Sequence, residues 1–96
     1  MRREGVRQRM KIKKGFLLRQ LDGENMVVAV GEAGRTFSGV IRLNDSAAWC
    51  WNQMKEETTK AALIEKMCAE FDGLSPEIAK ADLDELLETI AMAVEA

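Results

Sequence analysis

The chain of 96 residues contains neither histidine nor tyrosine. Histidine is the commonest general base near neutral pH and tyrosine is a common proton donor, so the usual acid–base groups of an enzyme are missing. The glycines Gly31, Gly34 and Gly39 lack the spacing and the lysine of a phosphate-binding loop. The sequence therefore predicts no independent enzyme, no catalytic residue and no cofactor.

Long apolar runs are also missing. No stretch approaches the roughly 20 apolar residues that a membrane-spanning helix needs. The N-terminus is basic but is not followed by the apolar segment of a secretory signal. We therefore expect a cytoplasmic protein with no membrane partner, large enough for one modest core.

The side chains that could bind a metal are better explained by structural roles. Cys50 and Cys68 are too far apart for a CxxC motif, and both lie on apolar faces of predicted helices. A free thiol in such a place behaves as a small hydrophobe, so a disulfide, a metal ligand or a nucleophile is less favoured. Several acids cluster near the C-terminus: Asp82, Asp84, Glu85 and Glu88. Without histidine partners they predict a solvated acidic face and no metal site.

The charges are distributed unevenly along the chain. The first 20 residues are strongly basic, with Glu4 as their one acid, whereas residues 75–96 are strongly acidic, with Lys80 as their one base. Exposed pairs between the two ends would contribute little, because solvent and salt screen them. We expect residues 1–9 to form a basic, flexible arm and residues 10–96 to form the folded domain.

Three apolar runs predict strands. The run over residues 16–21 ends in Asp22-Gly23, a strong turn dipeptide, and residues 26–30 follow as a β-branched run. Together they predict an antiparallel hairpin. Residues 31–39 indicate a looser loop, and residues 39–43 predict a third, short strand. This last strand would lie at the edge of a small sheet, where a second chain can add.

The pattern becomes helical after Asn44. Asn44 or Asp45 can cap a first helix, and Thr58 can cap a second one. Ser75-Pro76 supplies the cap and first residue of a third helix. The order β-β-β-α-α-α predicts an α+β domain with its helices on one face of a three-stranded antiparallel meander. That order is compatible with a winged-helix arrangement.

Several segments, in this order, carry a resemblance to a known family: residues 13–19, residues 27–31, residues 37–49, Thr58-Thr59 before Leu63-Ile64, and Phe71. The run from aromatic Phe37 through Gly39 to Leu43-Asn44 and its small-residue helix is the most specific part. From near Met10 to about Ile90 the chain resembles the PqqD-like family, whose founding member serves pyrroloquinoline quinone biosynthesis.

The resemblance implies a winged-helix peptide-recognition module, also called a RiPP recognition element, found with enzymes that modify ribosomally made peptides. These partner enzymes are often radical SAM enzymes. Such modules bind the precursor's leader as an extra strand on the third strand, beside the last helix. Carried over to this chain, the implied peptide-binding residues are Val40, Ile41, Arg42 and Leu43 on the strand and Ile78, Asp82, Glu85 and Leu86 on the helix.

Two other functions stay open at this point. Winged-helix proteins often bind nucleic acid, but phosphate contacts need lysine and arginine, and the third helix is acidic. A dimerising scaffold domain is the other alternative, because the methionines and the apolar segment 90–94 could form an adaptable surface. A homodimer would not exclude peptide binding.

Overall fold

The computed structural model describes residues 9–95. In this part of the chain the strands are β1 (Arg9–Ile12), β2 (Phe16–Leu21), β3 (Glu24–Ala29), β4 (Ile41–Leu43), β5 (Thr58–Thr59) and β6 (Val94–Glu95). The helices are α1 (Glu32–Thr36), α2 (Asp45–Gln53), α3 (Lys60–Glu70), α4 (Pro76–Thr89) and a 3-10 turn at Ala91–Ala93. None of these helices has the length and apolar character needed to cross a membrane.

Strands β2, β3 and β4 form the predicted antiparallel meander, with β3 in the centre. Asp22 and Gly23 join β2 to β3 with φ angles of 52° and 80°. Positive φ at both central residues is what a two-residue hairpin turn of type I′ requires, which explains the Asp-Gly pair. Strand β4 begins at Ile41, later than residue 39, and Val40 lies outside the strand. The mixed α+β class is confirmed.

A second small sheet has the order β5-β1-β6 and was not predicted. In it, Arg9 faces Thr59 and Ile12 faces Val94, both in antiparallel register. The sheet thus connects the beginning of the described residues with the start of α3 and with the end of the described residues. Strand β1 includes Arg9, the last residue of the expected arm, while residues 1–8 of that arm lie outside the described residues.

The helix starts follow the capping pattern of the sequence. The Asn44 side chain accepts a hydrogen bond from the Ala47 amide at 2.8 Å and thereby begins α2. Ser75 caps α4 in the same way, and Pro76 occupies its first position. Helix α3 is capped by Thr59, one residue later than the predicted Thr58. The short helix α1 lies where a loop was expected.

The core lies between the inner faces of the strands and helices α2 to α4. Its largest fully buried side chains are Trp51, Met54, Leu63, Leu83, Ile90 and Val27. Trp51 is therefore a core residue. Trp49 is half-buried, and its ring packs edge-on against Phe71 with centroids 5.2 Å apart.

Candidate functional site

Strand β4 is the open edge of the meander. One side of it pairs with β3 in the register Val27↔Ile41, Met26↔Arg42 and Asn25↔Leu43. On its other side, no strand within residues 9–95 pairs with it, and its backbone makes no backbone hydrogen bond outside the sheet. Such an edge presents unpaired N–H and C=O groups to any extended chain that lies beside it.

A groove of about 480 Å³ lies beside this edge. Strand β4 and the start of α2 form one wall, and α4 forms the other. The lining residues are Arg42, Leu43, Asn44, Ser46, Ala47 and Cys50 from the first wall, Met67, Phe71 and Leu74 from α3 and the loop after it, and Asp82, Glu85, Leu86 and Thr89 from α4. An open edge beside a groove of this volume suits an extended ligand.

The groove brings together five predicted site residues from two distant segments: Arg42, Leu43, Asp82, Glu85 and Leu86. The other three lie around it. Ile41 is half-buried in β4, and Val40 precedes the strand with 53% of its surface exposed. Ile78 is 52% exposed and lies one helical turn before Asp82, outside the groove lining.

Two ionisable groups in or near the groove, Cys50 and Asp84, have shifted pKa values. Burial raises the pKa of the Cys50 thiol to about 11, and the nearby charge of Asp82 adds to the effect. The thiol therefore stays protonated near neutral pH, where it is a weak nucleophile. Hydrogen bonds from Lys60 and Lys80 lower the pKa of Asp84.

The described residues contain no group of three or more cysteine, aspartate or glutamate side chains arranged to hold a metal ion.

Comparison with known families agrees with this arrangement. The family model for coenzyme PQQ synthesis protein D (PqqD) matches residues 21–93. The chain belongs to the PqqD family. The matched segment of this PqqD-family chain contains β3, β4 and α2 to α4, and therefore every residue that lines the groove.

Among solved structures, this PqqD-family chain is similar to TbiB1 in complex with the TbiA(beta) leader peptide. The two share 17% sequence identity and a TM-score of 0.69, over 90% of this chain and 95% of that chain. At this identity the likeness shows a shared fold. No curated protein matches the sequence.

The structure also shows a positioning residue that the sequence pattern missed. Asn25 is buried at 8% exposure, and its side-chain Nδ2 donates to the Leu43 carbonyl at 3.2 Å and to Asp45 Oδ1 at 3.0 Å. It thus fixes the end of β4 to the start of α2. The apolar run that predicts this strand starts only at residue 26, so the sequence pattern leaves Asn25 outside it. The available signal was alternation, because Asn25 and Val27 share the inner face of β3.

The floor of the groove was missed as well. Cys50, Met67, Phe71 and Leu74 come from α2, α3 and the loop after it. Part of the apolar stripe of α3 contacts the core. Which members of the stripe face a groove depends on how α3 packs against α2 and α4, and sequence periodicity does not contain that information.

Proposed function

We propose that this PqqD-family protein is a non-catalytic module that binds the leader of a ribosomally made precursor peptide. The leader would add as an extra strand to β4, along the groove, and the module would present the peptide to a modifying enzyme. The observation that carries this proposal is the unpaired edge of β4 beside a groove whose other wall is α4.

Strand addition fits the dimensions of this edge. Three residues of β4 offer about two to four outward backbone hydrogen bonds, because N–H and C=O groups alternate in direction along an antiparallel strand. Alternate side chains of the added strand would point into the groove, where each fully buried apolar side chain contributes about 1.5–3 kcal/mol. Backbone pairing would supply affinity, and the groove would supply specificity.

The comparisons support the same proposal. TbiB1, which has the same fold, is seen with a leader peptide. The PqqD match spans the whole groove of this chain. Both findings favour a peptide ligand over nucleic acid, for which the acidic side chains of α4 offer no phosphate contacts.

We further propose that the partner is a radical SAM enzyme acting on the bound precursor. The gene neighbourhood gives a first test, since a short precursor gene and a radical SAM gene are expected beside this one. Reconstitution gives the second test. The enzyme should modify its precursor faster when this protein is present, whereas equal rates with and without it would contradict the presenting role.

Proline substitution tests the edge directly. In an antiparallel ladder, one of the two neighbouring residues Ile41 and Arg42 directs its N–H toward β3 and the other directs it outward. Proline at the inward position should lower the free energy of unfolding by about 1–3 kcal/mol, because a ladder hydrogen bond is lost. Proline at the outward position should leave stability nearly unchanged and weaken leader binding, measured by calorimetry.

The other edge of the same sheet provides a matched control. Leu18 and Arg19 of β2 face Val27 and Met26, the same two residues that Ile41 and Arg42 face from the opposite side. The stable member of the pair Leu18→Pro and Arg19→Pro should bind leader as the wild type does. Unchanged binding by the stable β4 variant would contradict strand addition at β4.

A further inference from the structure

The groove combines an apolar floor with an acidic rim. The floor consists of buried and half-buried side chains: Cys50, Met67, Phe71, Leu74 and Leu86. Asp82 and Glu85 lie three residues apart on one face of α4 and are exposed. A segment lying in the groove therefore meets apolar atoms below it and carboxylates along one side.

The two rim carboxylates differ from the acid between them. Asp84 accepts hydrogen bonds from Lys60 and Lys80, so its charge is compensated. Within residues 9–95, neither Asp82 nor Glu85 has a lysine or arginine nitrogen within 4.0 Å.

The described groove lining includes one basic residue, and that residue already forms an ion pair with another side chain. Arg42 lies on β4, and its Nε is 3.3 Å from Glu24 Oε1. The charge of Asp82, by contrast, reaches the floor, where it adds to burial in raising the pKa of Cys50. On the α4 side of the groove, Asp82 and Glu85 therefore carry negative charges that no described lysine or arginine pairs with.

We propose that the groove selects a leader segment in which a lysine or arginine lies two residues from an aliphatic or aromatic side chain. This inference rests on the proposed function and names the chemistry of its ligand. In an added strand, side chains two residues apart point to the same face. The apolar one would enter the floor, and the cationic one would lie between Asp82 and Glu85.

Peptide selection tests this inference without a known leader. Random peptides displayed on phage, long enough to run along β4, would be selected on the full-length protein. The same library would be selected on Asp82→Lys/Glu85→Lys and on a matched control, Glu77→Lys/Glu88→Lys, which changes the same charge on the same helix outside the groove lining. Circular dichroism would check that all three proteins are folded.

We expect wild type and control to enrich lysine or arginine two residues from an apolar residue. The charge-reversed variant should enrich aspartate or glutamate there instead. Replacing the basic residue of a selected peptide with glutamine should weaken its binding about three- to tenfold at low ionic strength, since each exposed pair contributes modestly. The effect should shrink as salt is added.

A double-mutant cycle separates a direct contact from a general charge effect. The same glutamine replacement should have no effect on binding to Asp82→Asn/Glu85→Gln. A loss of equal size in that variant, or no basic preference in the selected peptides, would overturn the inference.

The failure of this inference differs visibly from the failure of the proposed function. Selected peptides that shift the amides of residues 41–43 but carry no basic preference would overturn the ligand chemistry alone. Peptides that bind without affecting those amides, or a selection that enriches none, would overturn both.

Discussion

At the residue scale, the site depends on Asn25, a polar side chain that is buried beside the apolar core. Asn25 donates from β3 to the last residue of β4 and to the first residue of α2. Because Asn25 is buried at 8% exposure, little water can reach its amide to replace these partners. The adjoining cap at Asn44 begins α2 at once, so strand edge and helix start are set by neighbouring hydrogen bonds.

Removing the Asn25 amide should therefore destabilise the folded protein. Asn25→Ala should lower the free energy of unfolding by about 1–3 kcal/mol in urea denaturation, because the Leu43 carbonyl and Asp45 lose a buried donor. Asn52→Ala, at an exposed position of α2, is the matched control and should change stability by less than about 0.5 kcal/mol. Equal effects of the two substitutions would show that Asn25 does not position the strand edge.

At the scale of elements, the sequence predicted the features that depend on residues close together in the chain. The Asp22-Gly23 turn, the alternation of β2 and β3 and the caps at Asn44 and Ser75 are local signals, and the structure has the corresponding hairpin and helices. The two-residue strands β5 and β6 carry no such signal. They exist because residues distant in sequence pair with β1, which only the tertiary structure brings near.

The same limit applies to the site. The edge strand and the acidic face of α4 were visible in the sequence, and the resemblance to a known family joined them. The floor of the groove was not visible in the sequence. Whether Met67 and Phe71 point toward the groove depends on how the helices pack. The start of β4 was also not predicted accurately. Gly39 has a φ of 133°, and the strand begins only at Ile41, so Val40 lies before it.

Helix α4 is tied to α3 by a charged contact that should depend on pH. Lys60, the first residue of α3, and Lys80 both bond Asp84 of α4 and lower its pKa below the usual 3.8. A lowered folded-state pKa means that the stabilisation is present above the unfolded-state pKa and is lost as pH falls through the folded-state value.

Asp84→Asn should therefore be less stable than the wild type near neutral pH, and the difference should narrow in acid as the wild-type carboxylate is protonated. Thermal denaturation at neutral and at strongly acidic pH measures this. Glu88→Gln, an exposed change on the same helix, serves as the control and should show a smaller pH-dependent difference. A gap between wild type and Asp84→Asn that stays constant with pH would rule out the ionic contact as its cause.

At the scale of the whole molecule, the meander has two outer strands that differ in their surroundings. Both β2 and β4 are edges within the described part of the chain, but only β4 borders the groove with α4. The proposed function therefore requires a ligand to choose between two edges of one sheet. That choice would come from the groove, since backbone groups alone are available at either edge.

Titration of isotope-labelled protein with the leader of its precursor tests this choice most directly. Amide resonances of Ile41, Arg42 and Leu43 should shift together with those of groove residues on α4, while the amides of β2 stay in place. The outward-facing amides of β4 should also exchange with solvent more slowly in the complex, because they become hydrogen-bonded. Shifts confined to β2, or a complex in which residues 41–43 are unaffected, would contradict strand addition at β4.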